Sequence, residues 1–188
     1  MNDVVALVQR LAEKLDDAGI PYMVSGSLAS SAWGDPRASY DVDIVIAPTG
    51  AQLSAFLASL GDAFYVSAPA ATEALRTRTA FNVIEHATGA KADFIIRKER
   101  PFSVEEFNRR RRGRVEDAEI TLVSPEDSIL SKLEWSKKSG SDRHYRDALG
   151  VAALQQDKLD VDYLRRWARE LDVSDLVERL LHEMHRTG

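Results

Sequence analysis

The chain has 188 residues, 44% hydrophobic and 29% charged, with a formal net charge of −5 at pH 7. That length suits one domain, or a domain with a small appendage, around a real core, and the acidic balance argues against a general nucleic-acid coat. There is no cysteine, which excludes disulfides and thiolate metal sites.

Val4, Leu7, Val8, Leu11 and Leu15 recur at helical spacing, and Gly19 followed by Pro21 stops that helix. The helix is amphipathic and acidic, unlike a signal peptide, and no run approaches membrane-spanning length, so a cytoplasmic address is expected. "YMVSG" reads as a short buried strand entering a tight turn at Gly26. "SLASSAW" reads as a short helix capped by Ser27 and ended by Gly34. A loop over "GDPRAS" leads into a strand, "YDVDIVIA", and a helix over "GAQLSAFLASLG" follows Pro48. A poorly patterned stretch then holds a short helix at "AATEALR". "AFNVIEHATGAKADFIIR" predicts a hairpin joined around "ATGAK", "SVEEFNRRRRG" a short charged helix or loop, and "AEITLVS" the last strand. From Pro125 onward strand signals stop and four helical stretches follow, the first capped by Ser124 to Asp127. The expected organisation is an α/β portion over 1–123 and a helical portion over 124–188 packed on it.

Asp41 and Asp43 flank one valine at the mouth of an apolar run, where two like charges one strand repeat apart repel each other. Alternation sends both carboxylates to one face and Val42, Ile44 and Ile46 to the other. A divalent cation would compensate the pair. Mg²⁺ is a hard ion typically held by one or two carboxylates together with substrate phosphates. The preceding strand, Gly-Ser turn and helix N-terminus present backbone N–H groups to such a phosphate, with Gly26 allowing close approach and Ser27 donating its hydroxyl. A second Asp-Val-Asp, Asp160 to Asp162, precedes an amphipathic helix with nothing phosphate-like before it, and reads as a helix cap. The spacing is therefore informative only in the context of the first copy.

Gly26-Ser27, Ala29, Gly34, Pro36-Arg37-Ala38-Ser39 and Asp41-Val42-Asp43 together resemble the signature of the nucleotidyltransferase superfamily, the polymerase-beta-like fold. Within it, the pattern is similar to bacterial minimal nucleotidyltransferases related to the AbiEii-type toxins. Ser27 stands where that subgroup more often has a second glycine, and Ser39 where it has threonine. The resemblance implies a mixed α/β (α+β) sheet flanked by helices, with a C-terminal helical portion. It also implies a third carboxylate on a later strand, which Asp93 in "KADFIIR" fits, on a face shared with Ile95 that reads as buried. In toxin-like members a lysine follows "SPED" and an aspartate lies on a later helix. Those positions match Lys132 and Asp147, the lysine to neutralise triphosphate charge and the aspartate to orient it or to take the acceptor's proton.

Several features keep plainer readings beside the functional ones. Arg37 could reach a phosphate or brace its loop through Asp35 or Asp41. The run Arg109 to Arg114 is flanked by Glu105, Glu106, Glu116 and Asp117, which favours a solvated, internally paired face over an RNA contact. His182 and His185 lack the spacing of a zinc-protease helix and read as surface residues. Trp33, Trp135 and Trp167 sit at helical apolar positions and read as core.

The resemblance implies an Mg²⁺- or Mn²⁺-dependent enzyme. Such an enzyme would bind an NTP through Gly26, Ser27, Arg37 and Lys132 and hold metal on Asp41, Asp43 and Asp93. It would pass NMP to an acceptor hydroxyl, releasing pyrophosphate. The acceptor class stays open among RNA, protein and small molecules, and a toxin-like member would have an antitoxin-like partner. The alternative is a non-catalytic nucleotide-binding module acting through a protein partner; a purely structural domain would leave the carboxylate pair unexplained.

Overall fold

Helical and strand periods alternate through the first two thirds of the chain and give way to helices alone, as the hydrophobic patterning predicts. The structure, a computed structural model, describes residues 2–34 and 41–184, without the side chains of Asn2 and Asp41. The chain divides into two compact units: residues 1–28 with 38–122, and residues 29–37 with 123–188.

The first unit carries α1 (Asn2–Asp17), β1 (Tyr22–Ser25), the start of α2 (Gly26–Trp33), β2 (Asp41–Ile46), α3 (Gly50–Leu60) and β3 (Phe64–Val66). It continues with α4 (Ala68–Thr77), β4 (Ala80–Glu85), β5 (Lys91–Ile96), α5 (Pro101–Asn108), β6 (Arg111–Val115) and β7 (Ala118–Leu122). The strands form one seven-stranded sheet in the order β3-β4-β5-β2-β1-β7-β6. It is mixed: β2 runs parallel to β5 and β1 parallel to β7, and the other neighbours are antiparallel.

Alternation decides which sheet face is core. Val42, Ile44 and Ile46 are at most 1% exposed, and Ala92, Phe94 and Ile96 beside them are fully buried. Phe94 stacks on Phe81, with ring centroids 5.3 Å apart, and meets the tilted ring of Phe56 of α3 at 5.2 Å. Burying each such side chain contributes about 1.5–3 kcal/mol, so this face fixes the register. α1 buries Leu7, Val8, Leu11 and Leu15 and is tied to α3 by Lys14 Nζ donating to the Ser59 carbonyl at 2.6 Å. α3 opens with a capping box between Thr49 and Gln52.

Two strands escape the sequence patterning. β3 is three residues long, too short for alternation to register. β6 falls within the arginine run, where a charged helix or loop is expected, yet Arg111 to Val115 pair with β7 through a tight turn at Glu116, φ 52°. It is an edge strand, and charge on an edge blunts pairing with other chains. Arg114 lies 3.7 Å from Asp117, the kind of local pairing the flanking acids suggest.

The second unit holds the rest of α2 with α6 (Pro125–Ser139), α7 (Asp142–Gln155), α8 (Val161–Glu170) and α9 (Ser174–Met184). α6 begins at Ser124, whose hydroxyl accepts from Asp127 N at 3.2 Å, and ends at Gly140 in the left-handed region. Asp127 is fully buried but not stranded, because Ser124 Oγ donates to it at 2.6 Å and Tyr163 Oη at 2.5 Å. The end of α2 belongs here for a visible reason. Trp33 Nε1 donates to the Val123 carbonyl at 2.7 Å, Gln155 Nε2 donates to the Trp33 carbonyl at 2.9 Å, and a Cβ on Gly34 would come within 2.8 Å of Val151 N.

Candidate functional site

The chain turns from β1 into α2 at Gly26, whose φ of 64° is costly for any residue with a Cβ. A Cβ there would lie 1.9 Å from Asp43 Oδ2 and 2.8 Å from Asp43 Cγ. Gly26 is thus fixed twice, by its backbone and by the room it leaves for a carboxylate. Sequence reasoning gives this glycine the task of admitting a phosphate; the described clearance is for Asp43. Ser27 is half-buried and lies inside the first turn, since the helix starts at Gly26, two residues earlier than a Ser27 cap requires.

Strand pairing builds a polar row around Asp43. Ser25 of β1 pairs with Asp43 of β2, Asp43 with Asp93 of β5, and Asp93 with Asn82 of β4. Register partners share a sheet face, so four polar side chains from four adjacent strands stand side by side. Asp41 heads β2, in register with Lys91; its side chain lies outside the described residues. The opposite face carries the buried aliphatic and aromatic residues, so the sheet supports this row from beneath.

Asp93 is held from two sides. The Asn82 amide donates to its Oδ1, and Lys91 Nζ lies 3.1 Å from the same oxygen. Its side chain is 27% exposed, and Ile95 beside it is half-buried. The expectation of a buried polar exception is corrected: the face that carries Asp93 is the partly open one, because the helices of the core cover the other. Asp43 and Asp93, two of the three carboxylates expected to hold metal, are register partners on neighbouring strands. Among the described side chains, which leave out Asp41, no three His, Asp or Glu residues cluster as a metal site. Paired carboxylate oxygens are the donor chemistry of a hard divalent cation, so the residues present fit Mg²⁺ or Mn²⁺.

In the second unit Lys132 and Asp147 meet. Lys132 Nζ donates to Asp147 Oδ2 at 2.9 Å, and the two side chains are 8% and 14% exposed. Neither is a solvated surface residue, since α6 and α7 pack closely enough to bury both. Structure therefore brings Asp43 and Asp93 together in one unit and Lys132 and Asp147 together in the other.

Fold comparison adds to this geometry. The chain superposes on an antigenic nucleotidyltransferase-like protein from Paracoccidioides brasiliensis with a TM-score of 0.60 at 18% identity, over 94% of this chain and 93% of that one. The chain has the nucleotidyltransferase fold. The antibiotic-resistance factor ANT(2'')-Ia, in its solution structure, is similar at a TM-score of 0.55 and 15% identity over 97% of both chains. Its complex with adenylyl-2''-tobramycin is similar at 0.59 and 16% identity, over 88% of this chain and 97% of that one. No protein-family model matches the chain, and no curated protein sequence does. The mixed sheet with flanking helices is what the resemblance of the Gly26 to Asp43 segment implies for a nucleotidyltransferase fold.

The other sequence-predicted residues fall as follows. Arg37 lies outside the described residues, as does His185, whereas His182 is exposed on α9. Asp160 caps α8 by accepting from Tyr163 N at 2.9 Å, as the second Asp-Val-Asp predicts. Trp33 and Trp167 are half-buried. Trp135 is 59% exposed, a correction to its core assignment: the opposite side of α6 is the buried one, and Lys138 Nζ stands 6.0 Å from the indole centroid. Ser25, Asn82 and Lys91 were missed. The available signal for Asn82 was its poor strand propensity inside "AFNVIE". No helix among the described residues is long and apolar enough to cross a membrane.

Proposed function

We propose that this chain is a metal-dependent nucleotidyltransferase that moves NMP from an NTP to an acceptor hydroxyl and releases pyrophosphate. The observation that carries the reading is the register of Asp43 against Asp93 on neighbouring parallel strands, beside a glycine whose missing side chain makes room for the Asp43 carboxylate. Asp41, Asp43 and Asp93 are the proposed ligands, and a divalent ion held by them would stabilise charge on the attacking and leaving oxygens. Gly26 and Ser27 are proposed to meet phosphate at the start of α2, and Arg37 is a proposed phosphate contact. Lys132 is proposed to offset triphosphate charge, its ammonium oriented in advance by Asp147.

The acceptor is proposed by class. One fold neighbour was solved with adenylyl-2''-tobramycin, which puts small polyhydroxy compounds beside RNA ends and protein hydroxyls as acceptors to assay. A toxin-like role with an antitoxin partner remains a proposal carried by the sequence resemblance alone. The test is incubation of the protein with each α-labelled NTP, Mg²⁺ and either a cell lysate or a panel of hydroxyl compounds. Label is expected in one acceptor class, with pyrophosphate formed in equal amount and no transfer by Asp43→Asn. Nucleotide binding without transfer in every arm would favour the non-catalytic module instead.

A further inference from the structure

Lys91 is the one residue on β5 whose charge opposes the carboxylate row. It lies two positions before Asp93, so both side chains leave the strand on the same face. Its backbone is the register partner of Asp41, and its ammonium reaches Asp93 Oδ1 at 3.1 Å. That oxygen also accepts from the Asn82 amide. A carboxylate oxygen has two lone pairs, so both are engaged, and a cation binding Oδ1 must remove a donor first.

We propose that the Lys91 ammonium is a built-in counter-ion of the carboxylate row, which holds Asp93 until a divalent cation displaces it. This rests on the reading of the carboxylates as metal ligands. The Lys91 and Asp93 side chains are 40% and 27% exposed, so their pairing is weak and exchangeable. Lysine suits such a role, because its charge sits on a flexible stem with three rotatable donors and can swing aside without backbone movement. Asn82 differs: its amide is neutral and adds no repulsion toward an incoming cation. In the metal-free protein Lys91 lowers the repulsion among neighbouring carboxylates. The same charge opposes a cation that arrives alone, and a triphosphate arriving with the cation offers the displaced ammonium a new anionic partner.

The test is titration of the EDTA-treated, desalted protein with Mn²⁺, following free ion by its paramagnetic resonance signal, so no turnover is needed. Lys91→Gln is expected to bind Mn²⁺ about fivefold more tightly, the upper end of what an exposed pair is worth. In an Asp93→Asn background the same substitution is expected to give a clearly smaller gain, because the contact to be displaced is already gone. Unchanged or weaker Mn²⁺ binding by Lys91→Gln, or an undiminished gain in the Asp93→Asn background, overturns the proposal. Failure of the wild type and all variants to bind Mn²⁺ overturns it together with the metal reading. Binding by the wild type with no effect of Lys91→Gln overturns the counter-ion alone.

Discussion

Replacing Gly26 with alanine tests the geometry at the start of α2 most directly. Two costs add. A left-handed conformation costs a residue with a Cβ about 1–2 kcal/mol. The new methyl would stand 1.9 Å from Asp43 Oδ2 and 2.8 Å from its Cγ, so the carboxylate must rotate away, at about 1–3 kcal/mol for overpacking. Alanine recovers about 0.4–1 kcal/mol by restricting the unfolded chain. The net expectation is a loss of about 2–3 kcal/mol. Urea unfolding in EDTA measures it, with unchanged slopes showing that the denatured state is the same. The two costs can be separated, because Asp43→Ala removes Oδ2 and Cγ and leaves only the Cβ contact at 3.2 Å. In that background Gly26→Ala should cost only about 0–1 kcal/mol, a coupling of about 2 kcal/mol. Equal losses in both backgrounds would refute the clearance, and a loss below about 0.5 kcal/mol in the first would refute both terms.

Asp43→Asn is expected to abolish nucleotidyl transfer while metal-free stability stays within about 0.5 kcal/mol, since it removes one of several neighbouring negative charges; denaturant melts in EDTA would expose a larger structural role. Lys132→Ala is expected to destabilise the protein by about 3 kcal/mol, because it removes a largely buried ammonium that pairs with Asp147, and Lys132→Met with Asp147→Leu should recover most of that loss in thermal or urea unfolding. The Tyr145 phenol is pushed up to about 12 by burial, with its hydrogen bond to Glu183 adding to the shift. Its stabilising contribution is complete below the ordinary value near 10 and declines as pH rises toward 12. Ultraviolet titration should therefore show a tyrosine ionising late, and Tyr145→Phe should flatten the stability loss in that window.

What the sequence determined by itself was local. Apolar spacing set α1, α3 and the four C-terminal helices; Ser124 and Asp160 announced helix starts; and alternation in "DVDIVI" assigned its buried face. Each of these depends on residues within one or two turns of each other. The short-range context of Asp41 and Asp43 likewise separated them from the capping copy at Asp160. Only tertiary structure decided the rest. Asp93 stands beside Asp43 because β2 and β5 run parallel in one register, across fifty positions of sequence. Local pattern carries no information about that pairing. Asn82 and Lys91 enter through the same pairing, one from the neighbouring strand and one from the same strand face. That Gly26 also leaves room for the Asp43 carboxylate, and that α7 covers Lys132 with Asp147, likewise depends on elements distant in sequence. Burial and register are properties of surfaces that meet. A single strand or helix, read alone, specifies the surface it offers but not the one it will meet.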